Sequence, residues 1–282
     1  MTEHIGFFYA LFHYHFMQQA LLAGVLVGAV CSALSVYVVL RRMAFIGQGI
    51  SHAAFGGVAL GLYLFQKADT GGELGVNITT AIFCVAVAIL IGITSKRGRM
   101  SADSSIGIFL ASAMALGVVL IAMRDRYTAD VTTYLFGSIL AVTPADLIAI
   151  AVMAGLVLVV LVALYKELLY YTFDERMAAA VGLPVTLLHY SLLVMLALTI
   201  VVSVKVVGIV LVTAFLVIPG ATAKLLAGSF STMMALSLVF GVSASILGLV
   251  ASHYAHLPSG ATIVLTQFIF FVVVSLATLR RQ

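Results

Sequence analysis

His52 is an ionisable side chain near the centre of an apolar stretch, Ala44-Phe-Ile-Gly-Gln-Gly-Ile-Ser-His-Ala-Ala-Phe-Gly-Gly-Val-Ala-Leu-Gly61. Gln48 stands four residues earlier, one helical turn away on the same face. An imidazole nitrogen and an amide oxygen both offer lone pairs. Polar groups are costly at bilayer depth, and those that occur there face a bundle interior or a polar path. The pair therefore marks a place where a polar solute or an ion crosses. For His52, a structural hydrogen bond between helices is the equally weighted alternative.

The other histidines are weaker candidates. His253 and His256 are spaced i, i+3 at the end of an apolar stretch, and His4, His13 and His15 precede the first one. Imidazole binds Zn²⁺, Cu²⁺, Fe²⁺ and Ni²⁺, so transient metal capture is one reading of the 253/256 pair. Ordinary surface polarity is the more common one. His189, beside Tyr190, reads as an anchor at a membrane border.

The elements that hold these residues follow from composition. Hydrophobic residues make up 63% of the 282-residue chain and charged residues 9%. A soluble domain is nearer half apolar and a quarter charged. The chain is therefore an all-α, polytopic membrane bundle forming one domain over residues 1–282, with little mass outside the bilayer. Nine apolar stretches are long enough to cross, near 18–40, 44–65, 78–95, 106–123, 145–165, 187–204, 206–223, 230–252 and 260–279. Cys31 and Cys84 fall inside such stretches and read as small hydrophobes.

Charge orients the bundle. Arg41, Arg42, Lys96, Arg97, Arg99, Lys166, Arg176, Lys224, Arg280 and Arg281 fall in connectors on one side, and Lys67, Arg124, Arg126 and Lys205 on the other. The richer side is the cytoplasm, which puts the N-terminus outside and the C-terminus inside. The net charge of +4 thus reflects membrane topology and not nucleic-acid binding. Residues 1–17 carry no Lys or Arg and place Ile5, Phe8, Phe12 and Phe16 roughly on one face. They read as an external, interfacial helix.

Several local features stand out. Residues 131–142 are apolar but too short to span, and either dip into the bundle or lie across it. Pro144 and Asp146 mark a helix start. Pro219-Gly220 interrupts the seventh stretch and predicts a kink or half-helix. The longest cytoplasmic connector is 166–186, where Asp174 caps a short helix that Gly182 and Pro184 stop. It reads either as a solvated connector or as a docking surface for a cytoplasmic partner. Gly49, Ala53, Gly57 and Gly61 form a stripe that lets helix backbones approach closely. Contact along it aims the neighbouring stripe, Gln48, His52 and Gly56, at an internal seam.

No P-loop, H-E-x-x-H or G-x-S-x-G motif occurs. The deep parts of the nine stretches lack Asp, Glu, Lys and Arg, so no proton relay is visible. A transporter built this way draws its energy from another subunit.

The block Arg41-Arg-Met-Ala-Phe-Ile-Gly-Gln-Gly-Ile-Ser-His-Ala-Ala-Phe-Gly-Gly-Val-Ala-Leu-Gly61 resembles the signature of the membrane permeases of bacterial ABC importers for zinc, manganese or iron(II). The resemblance continues in order through Asp103–Ile108, Tyr134–Pro144, Phe173–Pro184, Val207–Ala223 and Leu257–Val264. It implies a type II importer fold in the bacterial inner membrane and a homodimer or closely related pair. It also implies two cytoplasmic ABC ATPase subunits and an extracytoplasmic metal-binding protein. Within the segment that matches the family's coupling helix, Phe173, Asp174, Glu175, Ala178, Gly182 and Pro184 are the expected ATPase-coupling residues. His52 matches a histidine implicated in metal passage. The family usually has Asp where this chain has Gln48. An amide oxygen is a neutral, weaker ligand than a carboxylate, and an imidazole-led site suits Zn²⁺ better than Mn²⁺. The expectation is a permease, not an enzyme, for a transported divalent ion. Zn²⁺ is favoured over Mn²⁺ or Fe²⁺, with no permanently bound cofactor. The alternative is a stand-alone carrier or channel without an ATPase.

Overall fold

In the computed structural model, residues 13–65, 72–96, 100–123 and 142–279 are described. Residues 1–12 of the expected interfacial segment 1–17, and residues 131–141 of the short apolar segment 131–142, lie outside them. Twelve helices run through the described residues: α1 (His15–Leu40), α2 (Ala44–Leu64), α3 (Gly72–Lys96), α4 (Ala102–Ala122), α5 (Pro144–Ala163), α6 (Tyr165–Phe173), α7 (Glu175–Ala180), α8 (Val185–Val207), α9 (Ile209–Phe215), α10 (Ile218–Leu226), α11 (Phe230–Ala255) and α12 (Ser259–Leu279). Nine segments among them are long and apolar enough to cross a membrane, α9 and α10 together making one.

Caps set many of the boundaries. Ser101, Thr143, Asp174 and Ser229 each accept a hydrogen bond from a backbone N–H of the first turn they precede. Thr143 and Asp146 form a reciprocal capping box with Pro144 in the first turn, as the sequence predicts for this helix start. The cap at Ser101 starts α4 at Ala102, ahead of the run of purely apolar residues. At the other extreme, His15–Met17 belong to α1 and continue into the first span.

The expected break in the seventh span is present. α9 ends at Phe215 and α10 begins at Ile218, with Pro219 in its first turn. The N–H of Gly220 donates to Ser35 Oγ at 2.9 Å, so the interrupted backbone is satisfied by a neighbouring span. α8 and α9 are joined by Gly208 alone, at φ 83°, a left-handed geometry that suits glycine. One helix was not legible in advance. Residues 165–173 form α6, which buries Leu168, Tyr171 and Thr172 on one face.

Small residues draw the spans together. A Cβ at Gly57 would stand 3.0 Å from the Thr80 Cα, and one at Gly61 would stand 2.8 Å from the Val76 Cα. Backbone cannot yield there, so glycine is what permits α2 and α3 to touch. Between α1 and α11, Ser237 Oγ donates to the Ser32 carbonyl at 2.7 Å, and Ser245 Oγ to the Gly24 carbonyl at 2.9 Å. Without a hydrophobic drive between helices in lipid, such packing and hydrogen bonding is what holds a bundle.

Candidate functional site

α2 is covered on almost every side. Between Phe45 and Ala59 only Phe45, Gln48 and His52 are not buried within the chain. Gly49 packs on Ile106 of α4, Gly57 and Gly61 pack on α3, and Gly56 lies against the Ala113 carbonyl. The glycine stripe therefore does what its spacing predicts. The adjoining stripe is open only at Gln48 and His52 and closes at Gly56.

Gln48 is exposed and His52 is half-buried. His52 Nδ1 is buried and has no hydrogen-bond partner among the described residues. A buried polar atom without a partner is costly, and among the described residues no interhelical hydrogen bond to Nδ1 accounts for His52. What remains is a lone-pair donor on the open strip of α2.

The second sequence candidate is less coherent. His253 stands half-buried in the last turn of α11, and His256 is exposed in the left-handed C-cap position, φ 53°. The backbone at this turn is tied back, with Leu257 N–H to the Ser252 carbonyl and Ser252 Oγ to the Leu257 carbonyl at 2.6 Å. The i, i+3 pair thus straddles a helix end and does not share a helical face. Among the described residues no three His, Cys, Asp or Glu side chains cluster as a metal cage. For an ion that must pass and not lodge, a closed cage is the wrong construction.

The expected coupling segment is a short helix, α7, capped by Asp174 Oδ1 on the Met177 N–H at 2.9 Å. It ends in a Schellman motif. Gly182 at φ 83° donates to the Ala179 carbonyl, and Leu183 donates to the Ala178 carbonyl. Phe173, Met177 and Val181 are exposed, at 66%, 60% and 68%, which leaves an apolar outer face. Lys166, Glu167, Tyr170, Val181 and Leu183 line an adjoining groove. Of the six residues expected to couple, Phe173, Asp174, Gly182 and Pro184 are exposed. Ala178 is fully buried and Glu175 is turned toward the bundle.

Glu175 leads to residues the sequence did not mark. Arg41, at the end of α1, donates to Glu175 Oε2 at 2.7 Å, to the Tyr171 hydroxyl at 2.6 Å and to the Tyr171 carbonyl at 3.2 Å. Its guanidinium lies 4.0 Å from the centroid of the Tyr171 ring. With its oxygen accepting from Arg41, the Tyr171 hydroxyl has its proton free for His189 Nδ1, 2.8 Å away. Lys96, at the end of α3, stands 3.9 Å from Glu175 and donates to Thr186 at 3.3 Å. His189 is therefore part of this network and is not a free border anchor.

Electrostatics fit that wiring. Burial pushes the Tyr171 phenol up to about 12, against the opposing pull of Arg41, so the phenol stays neutral. Partial burial raises the Glu175 carboxyl. The Arg41 hydrogen bond and the charges of Arg41, Lys96 and His189 outweigh it and hold the group below its ordinary value. No spacing rule links residue 41 to residue 175; only the folded chain brings them together.

The whole arrangement has relatives. The ABC 3 transport family matches residues 13–278. The manganese transport system membrane protein MntC of Halalkalibacterium halodurans is 39% identical over 271 residues, covering 96% of this chain and 90% of that protein. The manganese import system permease protein ScaB of Streptococcus gordonii is 36% identical over 269 residues, covering 95% and 93%. Among solved structures, PsaBC from Streptococcus pneumoniae in complex with Fab superposes with a TM-score of 0.83 at 36% identity, covering 95% of this chain and 94% of that one. This chain belongs to the ABC 3 transport family, as a metal-transport permease and not an enzyme.

Proposed function

We propose that a divalent metal ion crosses the membrane along the open strip of α2, past Gln48 and His52, at the seam between two copies of this chain. The observation that carries the proposal is the coverage of α2. Its neighbours bury everything from Phe45 to Ala59 except Phe45, Gln48 and His52. An exposed amide and a half-buried imidazole at bilayer depth are costly against lipid. A second copy covers them and converts them into a polar path.

The permease works with two cytoplasmic ABC ATPase subunits, which supply the energy, and an extracytoplasmic metal-binding protein, which delivers the ion. The complex sits in a bacterial inner membrane with the N-terminus outside and the C-terminus inside. Arg41 and Lys96, both counted on the basic, cytoplasmic side, meet at the coupling segment, which supports this orientation. The exposed apolar side chains Phe173, Met177 and Val181, on and beside α7, are what this segment offers an ATPase groove. His253 and His256 lie at the opposite end, where they give the arriving ion a first, weak contact.

Two observations bear on the ion. Two of the relatives named above, MntC and ScaB, carry manganese in their names, and we take Mn²⁺ as the principal cargo. The neutral pair His52 and Gln48, without the family's usual carboxylate, favours Zn²⁺ on donor chemistry. The seam therefore admits Zn²⁺ readily beside Mn²⁺. The deciding experiment is uptake of both ions by cells expressing the transporter with His52→Ala. Loss of uptake in a variant that still assembles with its ATPase is expected. Uptake at the normal rate removes His52 from the path.

A further inference from the structure

The network around Arg41 does more than close a surface. The contacts between the 165–183 segment and the spans include two of different kinds. On one side Phe173 packs on Phe230, with ring centroids 6.2 Å apart, and Phe230 packs on Tyr37 at 5.5 Å. On the other, one guanidinium makes three hydrogen bonds, two to Tyr171 of α6 and one to Glu175 of α7. Arg41 is only 18% exposed and its contacts are charge-assisted, so this is not a loose surface ion pair.

What lies beyond Arg41 gives the contact its meaning. α1 ends in a Schellman motif, with Arg42 at φ 57°, its N–H on the Val39 carbonyl, and the Met43 N–H on the Val38 carbonyl at 2.8 Å. Met43 is buried, and α2 starts at the next residue. No slack exists between the two helices. Gln48 lies seven positions beyond Arg41, within two turns of α2. A displacement of α6 and α7 is therefore passed through Arg41 into the short, hydrogen-bonded turn that carries the open strip.

We propose that Arg41 is a positioning residue for transport: through Glu175 and Tyr171 it transmits displacement of the 165–183 segment to the α1–α2 hairpin that holds Gln48 and His52. The inference rests on the import reading above. It differs from a purely structural role in one measurable way. Loss of the linkage lets the ATPase dock and hydrolyse ATP while the ion path no longer follows.

The test uses the full transporter, with its ATPase subunits and extracytoplasmic binding protein, in sealed vesicles supplied with Mn²⁺. Three quantities are read: ATPase retained on the permease, ATP hydrolysed, and Mn²⁺ imported per ATP. Arg41→Ala is expected to keep assembly, to hydrolyse ATP within about twofold of wild type, and to lose about tenfold in ions per ATP, the size of an ordinary coupling between sites. Arg41→Lys is expected to recover part of that loss, since an ammonium reaches Glu175 but cannot fork to Tyr171 as well. Tyr171→Phe, which removes one hydroxyl, is expected to lower the ratio by about threefold and decides the matter if Arg41→Ala does not assemble.

An unchanged ratio in an assembled variant overturns the linkage, including the case where hydrolysis and import fall in proportion. Wild-type vesicles that import neither Mn²⁺ nor Zn²⁺ supplied in its place overturn the import reading, and the linkage with it. Normal wild-type import with unchanged ratios in the variants overturns the linkage alone.

Discussion

Arg41 at the end of the first span and Glu175 at the start of α7 are 134 residues apart in sequence and 2.7 Å apart in space. The pair joins α7 to the α1–α2 hairpin that carries Gln48 and His52. Lys96 and His189 face the same carboxylate from two further spans.

This pair predicts a pH response. The Glu175 carboxyl is held below its ordinary value of 4.5, so the folded state favours the ionised form. Its stabilising contribution is fully present above the ordinary value and is lost as pH falls through the lower, folded one. Amide exchange in residues 174–183, corrected for intrinsic rates, is expected to be protected at neutral pH and to loosen only well into the acid range. Glu175→Gln is expected to flatten the response. A profile with equal steepness in that variant assigns the loosening to other groups.

The proposed path past Gln48 and His52 predicts that one substitution shifts the ion preference. Gln48→Asp places a carboxylate one turn from His52, and hard Mn²⁺ gains more from an anionic oxygen than Zn²⁺ does. The Mn²⁺ to Zn²⁺ uptake ratio is expected to rise by about tenfold, the effect of about 1.4 kcal/mol. Competition assays in cells with matched permease levels measure it, and an unmoved ratio takes Gln48 out of ion selection.

The α2–α3 contact predicts a sharp contrast between two glycines. Gly61→Leu drives a side chain toward the Val76 Cα, where a Cβ alone would stand at 2.8 Å. A loss of about 1–3 kcal/mol is expected, read as earlier thermal unfolding in detergent. At Gly155→Leu the space around the new side chain is open, and no loss beyond about 0.5 kcal/mol is expected. Equal sensitivity at the two sites contradicts the packing account.

The two Schellman endings predict opposite signs. Arg42 adopts φ 57° and Gly182 φ 83°. Arg42→Gly relieves a strained backbone and is expected to stabilise by up to about 1 kcal/mol. Gly182→Ala meets no atom within 4 Å, so its cost is backbone strain alone, about 1–2 kcal/mol. Melting curves of both variants beside wild type measure the pair, and destabilisation by Arg42→Gly rejects the relief argument.

Much of the architecture is written locally, and for that reason it could be read along the chain. Span lengths, the Thr143 and Asp174 caps, the Gly182 stop and the Pro219 break each depend on a few neighbouring residues and on the bilayer as solvent. The glycine stripe of α2 is likewise a periodicity, and it located the packed face beside the open strip. Helix α6 escaped notice because only three of its residues are buried and its tyrosines imitate a border. The Arg41, Tyr171, His189 and Glu175 network was illegible for a deeper reason. Each member alone looks like an ordinary residue at a span end, and the partners come from different helices. Sequence determined where the spans lie and which face of α2 is polar. Tertiary packing decided that His52 Nδ1 has no partner within the described chain and that Arg41 meets the coupling helix, because both depend on where non-adjacent helices end in space.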